Sequence, residues 1–216
     1  MKNTKVIIVL TLLIISLIAV WFYFDYQNKH YIVTDDARVD AMLVKAAPQI
    51  SGRLIELSFE ENQLVQANQI IGRLADDALP VGANVDLTAI RSPISGQIIK
   101  KLATPGEMGT PSSPVALLVN PDDLYVTANI EEDKIERVKT GQKVQLTIDA
   151  FPEVCFNGQV DVVGSASAST FSLLPTQSSG NTFIKVTQRV PVKIRFQGRY
   201  QEKLLPGMNA VVKIYL

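Results

Sequence analysis

Glu131-Glu132-Asp133 is the densest run of acidic groups in the sequence, and so the first place to look for chemistry. Two carboxylates in such a run could divide general acid and general base work, and three could hold a cation. The plainer reading is a solvated helix start, where acids meet the positive end of the helix dipole. A third reading is docking onto a partner protein, which would use Glu131, Glu132 and Lys134. Asp35-Asp36 and Asp76-Asp77 read as turn and strand-end residues. Cys155, between Val154 and Phe156, reads as a small apolar filler, because no histidine stands near it in sequence to activate a thiol. His30 is the only histidine and Cys155 the only cysteine, so neither a His-rich metal site nor an internal disulfide can be built. The sequence holds no Gly-x-Ser-x-Gly and no phosphate-binding glycine loop. It therefore predicts no enzyme, no cofactor and no metal.

The elements that would carry these residues are unevenly distributed along the 216-residue chain, which is 47% hydrophobic with 21 basic and 21 acidic side chains. A zero net charge leaves no electrostatic footprint for nucleic acid. From Val6 to Phe24 the chain runs without a charge, and a helix of that length spans roughly 28 Å, close to a bilayer's hydrocarbon core. Val6, Leu10, Ile14, Leu17, Trp21 and Phe24 are its expected lipid-facing residues. Trp21 and Tyr23 stand where amphipathic rings favour the headgroup level, and Lys2 and Lys5 precede the run. The positive-inside rule then predicts a single-pass anchor over 1–25 with a cytoplasmic N-terminus and the bulk of the chain outside. A cleaved signal is the competing reading, but Val20-Trp21-Phe22-Tyr23-Phe24 offers rings where a signal peptidase takes small residues. The lone cysteine suits an oxidising compartment.

Beyond residue 25 no long 3.6-residue period is present, and short apolar runs between Gly, Pro, Asn and Asp predict strands joined by turns. One repeat stands out. Ser51-Gly52-Arg53-Leu54-Ile55 returns as Ser95-Gly96-Gln97-Ile98-Ile99, 44 residues later. A second turn follows each copy, at Glu61-Asn62-Gln63-Leu64-Val65 and at Pro105-Gly106-Glu107-Met108-Gly109. An apolar strand comes next, Ile70-Ile71-Gly72-Arg73-Leu74 or Val115-Ala116-Leu117-Leu118-Val119. Matching glycines permit positive φ in matching turns. Two such halves can wrap into a small sandwich with a pseudo-twofold axis. The pattern resembles the biotinyl/lipoyl domain over about 44–120, with Asn68 where that pattern usually has glycine. A biotin or lipoate carrier displays a modifiable lysine between the halves, and residues 46–99 contain no lysine at all. The carrier function fails on chemistry.

Past Leu124 the pattern changes. Leu124–Ile130 reads as a strand and Glu131–Val138 as a short helix. Further strands are predicted at Lys143–Ile148, Phe156–Val163, Gln188–Phe196 and Ala210–Tyr215, enough for a small closed antiparallel barrel. The Ser/Ala/Thr/Gly-rich stretch over 164–181 is expected to form a mobile loop. Within it Phe171, Leu173 and Leu174 either mark a contact surface or fold back over the barrel, two readings the sequence does not separate.

An anchor, a split lipoyl-like domain without its lysine and a following barrel together resemble the HlyD family of membrane fusion proteins. The details are similar to the EmrA-type branch at Thr34-Asp35-Asp36-Ala37-Arg38-Val39-Asp40-Ala41 and at Ala128-Asn129-Ile130-Glu131-Glu132-Asp133-Lys134-Ile135. They are most similar at Phe171-Ser172-Leu173-Leu174-Pro175 with Lys185-Val186-Thr187-Gln188-Arg189-Val190-Pro191-Val192. The fold expected is mainly β: a transmembrane helix, a membrane-proximal lead-in over 26–43, a lipoyl-like sandwich over 44–120 and a β-barrel over 121–216. The sandwich divides into halves at 44–74 and 90–120, with a joint at 75–89.

The resemblance implies a bacterial inner-membrane adaptor with its bulk in the periplasm. It would hold an inner-membrane transporter of the major facilitator type and pack into a ring with itself or with longer adaptors. One departure matters: family members usually insert a helical coiled-coil hairpin between the sandwich halves. The joint here, with Pro80 and Gly82, has room for two helical turns at most. Direct contact with an outer-membrane channel is therefore not expected. A hairpin-less regulatory or capping subunit, packed against full-length adaptors, is the alternative function.

Overall fold

The computed structural model describes residues 13–22, 29–76, 79, 84–166, 187–198, 200 and 202–216. The described part is mainly β and divides into two units, Met1–Val39 with Tyr125–Leu216, and Asp40–Leu124.

The first unit begins with strand β1 (Tyr31–Asp40). The chain then passes to the second unit, whose first half holds β2 (Val44–Ala46), β3 (Gly52–Leu57), β4 (Leu64–Val65) and β5 (Ile70–Leu74). The second half repeats them as β6 (Ala89–Arg91), β7 (Gly96–Lys101), β8 (Met108–Gly109) and β9 (Ala116–Val119). One sheet runs β2-β9-β7-β4 and the other β6-β5-β3-β8. Replacing each strand by its counterpart in the other half converts one order into the other, so each sheet takes two strands from each half. The symmetry extends to single bonds. Gly106 donates its backbone N–H to Leu54 O at 2.7 Å, and Asn62 donates to Ile98 O at 2.8 Å. The register irregularity between Leu54 and Glu56 recurs between Ile98 and Lys100. Asn62 and Gly106 occupy matching turns with φ of 69° and 99°. Asn68 takes φ 65°, so its turn is kept without glycine, which asparagine tolerates better than other residues. Leu54, Phe59, Ile71, Leu74, Ile90, Ile98 and Leu118 fill the space between the sheets.

In the joint between the halves, a one-turn 3-10 segment at Val85–Thr88 is capped by the Asn84 side chain, which accepts from the Asp86 N–H at 2.9 Å. Among the described residues of the joint there is no α-helix. Asp77 lies outside the described residues.

Back in the first unit come β10 (Tyr125–Glu131), a four-residue helix at Glu132–Ile135, β11 (Lys143–Ile148), β12 (Phe151–Val163), β13 (Arg189–Gln197) and β14 (Asn209–Tyr215). They close with β1 into a six-stranded barrel of order β1-β10-β13-β12-β11-β14. Strict alternation builds its core: Val126, Ala128 and Ile130 of β10, Val144, Leu146 and Ile148 of β11, and Ala210, Val212 and Ile214 of β14 are all buried. Closure removes the sheet edges.

Three expectations change. The segment 26–43 is more than a lead-in, because Tyr31–Asp40 is a wall of the barrel, paired with β14 from Tyr31↔Tyr215 to Arg38↔Asn209. Asp36 is no turn residue but lies inside β1, beside a register irregularity between Thr34 and Ala37. Cys155 is exposed on β12 and accepts a hydrogen bond from Gln145 Nε2 at 3.3 Å, so it fills no core. In the apolar run, residues 13–22 are helical, with Ile14, Leu17 and Trp21 exposed; Val6, Leu10 and Phe24 lie outside the described residues. No helix among the described residues is long and apolar enough to cross a membrane.

Candidate docking site at one end of the barrel

Because neighbouring barrel strands run antiparallel, the start of β1, β11 and β13 and the finish of β10, β12 and β14 all lie at one end. That end is where the chain arrives from its apolar run. It gathers Tyr31, Glu131, Lys143, Val163, Arg189 and Tyr215, together with the Glu132–Ile135 helix. Gly164 donates its N–H to Pro191 O at 2.9 Å, and Glu132 donates its N–H to Gln188 O at 2.9 Å. These bonds fix both stems of the segment that carries Phe171, Leu173 and Leu174 at this same end. Those three residues, and most of the loop expected over 164–181, lie outside the described residues.

Along the seam between β1 and β10 stands a chain of polar contacts. Thr34 Oγ1 donates to Asn129 O at 3.1 Å, and Asn129 Nδ2 donates to Asp36 Oδ1 at 3.1 Å. The other Asp36 oxygen pairs with Arg189 Nη1. The β1 irregularity leaves Asp36 placed to meet both strands. Glu131, opposite Arg189 in the β10–β13 register, turns its carboxylate onto Lys134 Nζ three residues on. It therefore makes no side-chain cap for the helix it precedes.

The electrostatics follow from these contacts. Burial pushes the Asp36 carboxyl up, but the hydrogen bonds from Asn129 and Arg189, with the charges of Arg189 and Arg38, outweigh it and hold it below the usual aspartate value. The hydrogen bond and charge of Lys134 lower Glu131 likewise. Arg189 is raised by the hydrogen bond and charge of Asp36.

The groups surround a cleft of about 80 Å³ lined by Ile32, Thr34, Asn129, Glu131, Lys134 and Arg189 among others. A small-molecule site needs roughly 300 Å³ or more, so this cleft houses no drug-sized ligand. Among the described residues no group of three or more His, Cys, Asp or Glu could hold a metal ion. What the arrangement offers is an exposed lattice of fixed alternating charges, of the kind that can fix the register of a protein partner.

Of the residues expected from sequence, Glu131, Glu132 and Lys134 stand together here. Asp36, Asn129 and Arg189 were not expected at the site. Arg189 and Asp36 are 153 positions apart, and only closure of the barrel between β1 and β10 joins them.

Comparison with known proteins supplies the relatives. A family model described as "RND MFP, barrel-sandwich hybrid domain" matches residues 42–120, and one described as "AAEA-like beta-barrel domain" matches 123–215. YhbJ of Bacillus subtilis (strain 168), which carries the name of an efflux system component, is 32% identical over 87% of this chain and 81% of its own length. The "Colistin resistance protein EmrA" of Acinetobacter baumannii is 36% identical over 61% of this chain, but only 38% of that protein is spanned. The "Multidrug export protein EmrA" of Escherichia coli K12 is 32% identical, with 60% of this chain and 34% of the relative covered. This chain thus spans well under half the length of either EmrA. In fold, it is similar to the periplasmic adaptor protein EmrA, with a TM-score of 0.58 at 14% identity over 86% of this chain and 98% of that one. A MacA–MexA chimera gives 0.64 at 17% identity, over 86% and 82%.

Proposed function

The chain belongs to the HlyD family of membrane fusion proteins, in its EmrA-type branch and without the coiled-coil hairpin, and on that premise we propose that it is a membrane-anchored adaptor of an efflux or secretion transporter. Its apolar run, Val6 to Phe24, holds it in the bacterial inner membrane with the N-terminus cytoplasmic and the two β units periplasmic. Its work is architectural: it holds an inner-membrane transporter, of the major facilitator type, and couples it to the exit path without chemistry of its own. The observation that carries this reading is positional. The charged lattice of Asp36, Arg189, Glu131 and Lys134 lies at the barrel end where the chain arrives from the apolar run, the end such an anchor would keep nearest the transporter. The stems of the Phe171–Leu174 segment lie there too, and that segment would add apolar contact.

A photo-reactive residue at Glu132, cross-linked in intact membranes, tests this. Capture of an inner-membrane transporter, lost when Arg189 is replaced by Glu, is the expected result. Capture of a longer adaptor alone would replace this reading with the second one, a regulatory or capping subunit. The short joint between Leu74 and Ala89 favours that second reading, since it gives this chain no reach of its own.

A further inference from the structure

Tyr31 and Tyr215 are direct cross-strand partners at the arriving end of the barrel, with rings edge to face at 5.2 Å. Lys213 lies across both, its Nζ 4.0 Å from the centroid of Tyr31 and 5.8 Å from that of Tyr215. Tyr215 is 38% exposed, and its hydroxyl donates to Gln145 Oε1 at 2.9 Å. Beside the pair, Val33 is 56% exposed and Leu216 38%. This is an outward apolar strip with polar tips and a lysine folded over it, on the wall of a unit whose core is already filled. Rings with wet tips and long-stemmed lysines are the side chains that partition to a membrane–water boundary.

The same end carries further basic groups. Lys143 lines a depression together with Tyr215, Lys139 is exposed four residues before it, and the Arg137 guanidinium donates to Lys29 O at 2.7 Å. The acids Glu131, Glu132, Asp133 and Glu136, interleaved with Lys134 and Arg137, lie where β10 runs into its helix. The tether decides the occupant. Tyr31 follows Phe24 by seven residues, a stretch of at most about 25 Å even when fully extended. If the run ending at Phe24 spans the bilayer, this basic, aromatic strip is kept within reach of the headgroups.

We infer that the Tyr31–Tyr215–Lys213 strip, flanked by Lys143, is a docking surface for anionic lipid headgroups, which sets this end of the barrel on the membrane. This rests on the anchor reading above. The contact is peripheral and electrostatic in part, so it weakens as salt rises.

The full chain in vesicles of phosphatidylethanolamine and phosphatidylglycerol, containing a headgroup-nitroxide lipid, tests it through tryptophan quenching. The native Trp21 reports the anchor. In a Trp21→Phe background, Tyr215→Trp reports the strip, Tyr31→Trp repeats that reading independently, and Phe151→Trp reports the opposite end of the barrel. Strong quenching at 21, 215 and 31, with Phe151→Trp unquenched, is expected. Quenching at 215 and 31 should fall when phosphatidylglycerol is replaced by phosphatidylcholine or when salt is raised. Quenching at 21 without quenching at 215 and 31 would overturn the docking surface and leave the anchor standing. No quenching at 21 would overturn the anchor, and the surface with it. Equal quenching at 151 and 215 would overturn the end-on contact.

Discussion

Asp36 is the residue on which the seam between β1 and β10 turns, since it accepts from Asn129 and pairs with Arg189. Its lowered folded value means that the unfolded chain binds a proton more readily. The pair's contribution is therefore fully present above the ordinary carboxylate range, about 4, and is lost as pH falls through the lowered folded value. Melting curves taken from pH 7 down to pH 3 should show an acid-side loss that Asp36→Asn reduces. An identical acid slope in the variant would deny Asp36 this role. Both partners are well exposed, so the loss should be small. Gly96 is under a harder constraint. A Cβ there would lie 2.3 Å from Val119 O, a backbone atom that cannot move aside. Gly96→Ala should cost the sandwich unit about 1–3 kcal/mol, read by denaturant melting. A variant as stable as the parent would show that β7 and β9 are less closely apposed.

Elements, rather than single residues, set how little trimming the two units should tolerate. Among the described barrel strands, β1 alone precedes the sandwich in sequence, and it lies between β14 and β10. A chain beginning at residue 41 should therefore leave a five-stranded sheet with two open edges and aggregate, whereas one beginning at residue 25 should stay monodisperse in size-exclusion chromatography. A soluble, cooperatively melting barrel from the shorter chain would contradict the closure. In the sandwich, interlocking gives each sheet two strands from each half, so neither half folds alone. Ile71, wholly buried in β5, supports both copies of the repeat. Ile71→Ala should cost about 2–5 kcal/mol, and the sandwich should lose cooperativity as a whole rather than half by half.

At the scale of the whole molecule, the proposed role combines an anchor, a charged docking end and no hairpin. Deleting residues 1–24 should release the remainder as a β-rich protein that leaves membranes in a high-salt wash. The basic, aromatic strip alone gives only a salt-sensitive hold. Retention of that fragment in salt-washed membranes would place the main attachment in the β units instead of the apolar run.

The element types and the repeat are legible in the residue pattern alone. Side-chain alternation of period 2 marks each barrel strand. The spacing between Gly52 and Gly96 anticipates a symmetry that extends to matched hydrogen bonds and matched bulges. The residue pattern also shows the loss of a carrier lysine outright, since an amide link needs an amine, and it shows the acids and Lys134 of the docking end because they are neighbours in the chain. That β1 belongs to the barrel and that Asp36 meets Arg189 emerges first in the folded chain. Both depend on closing a sheet between residues far apart in sequence, and local patterning carries no information about which strand edge will find which. Cys155 belongs to the same class. Its apolar neighbours suggest burial, but in a strand the two faces alternate, and the register of β12 against β11 turns its thiol outward.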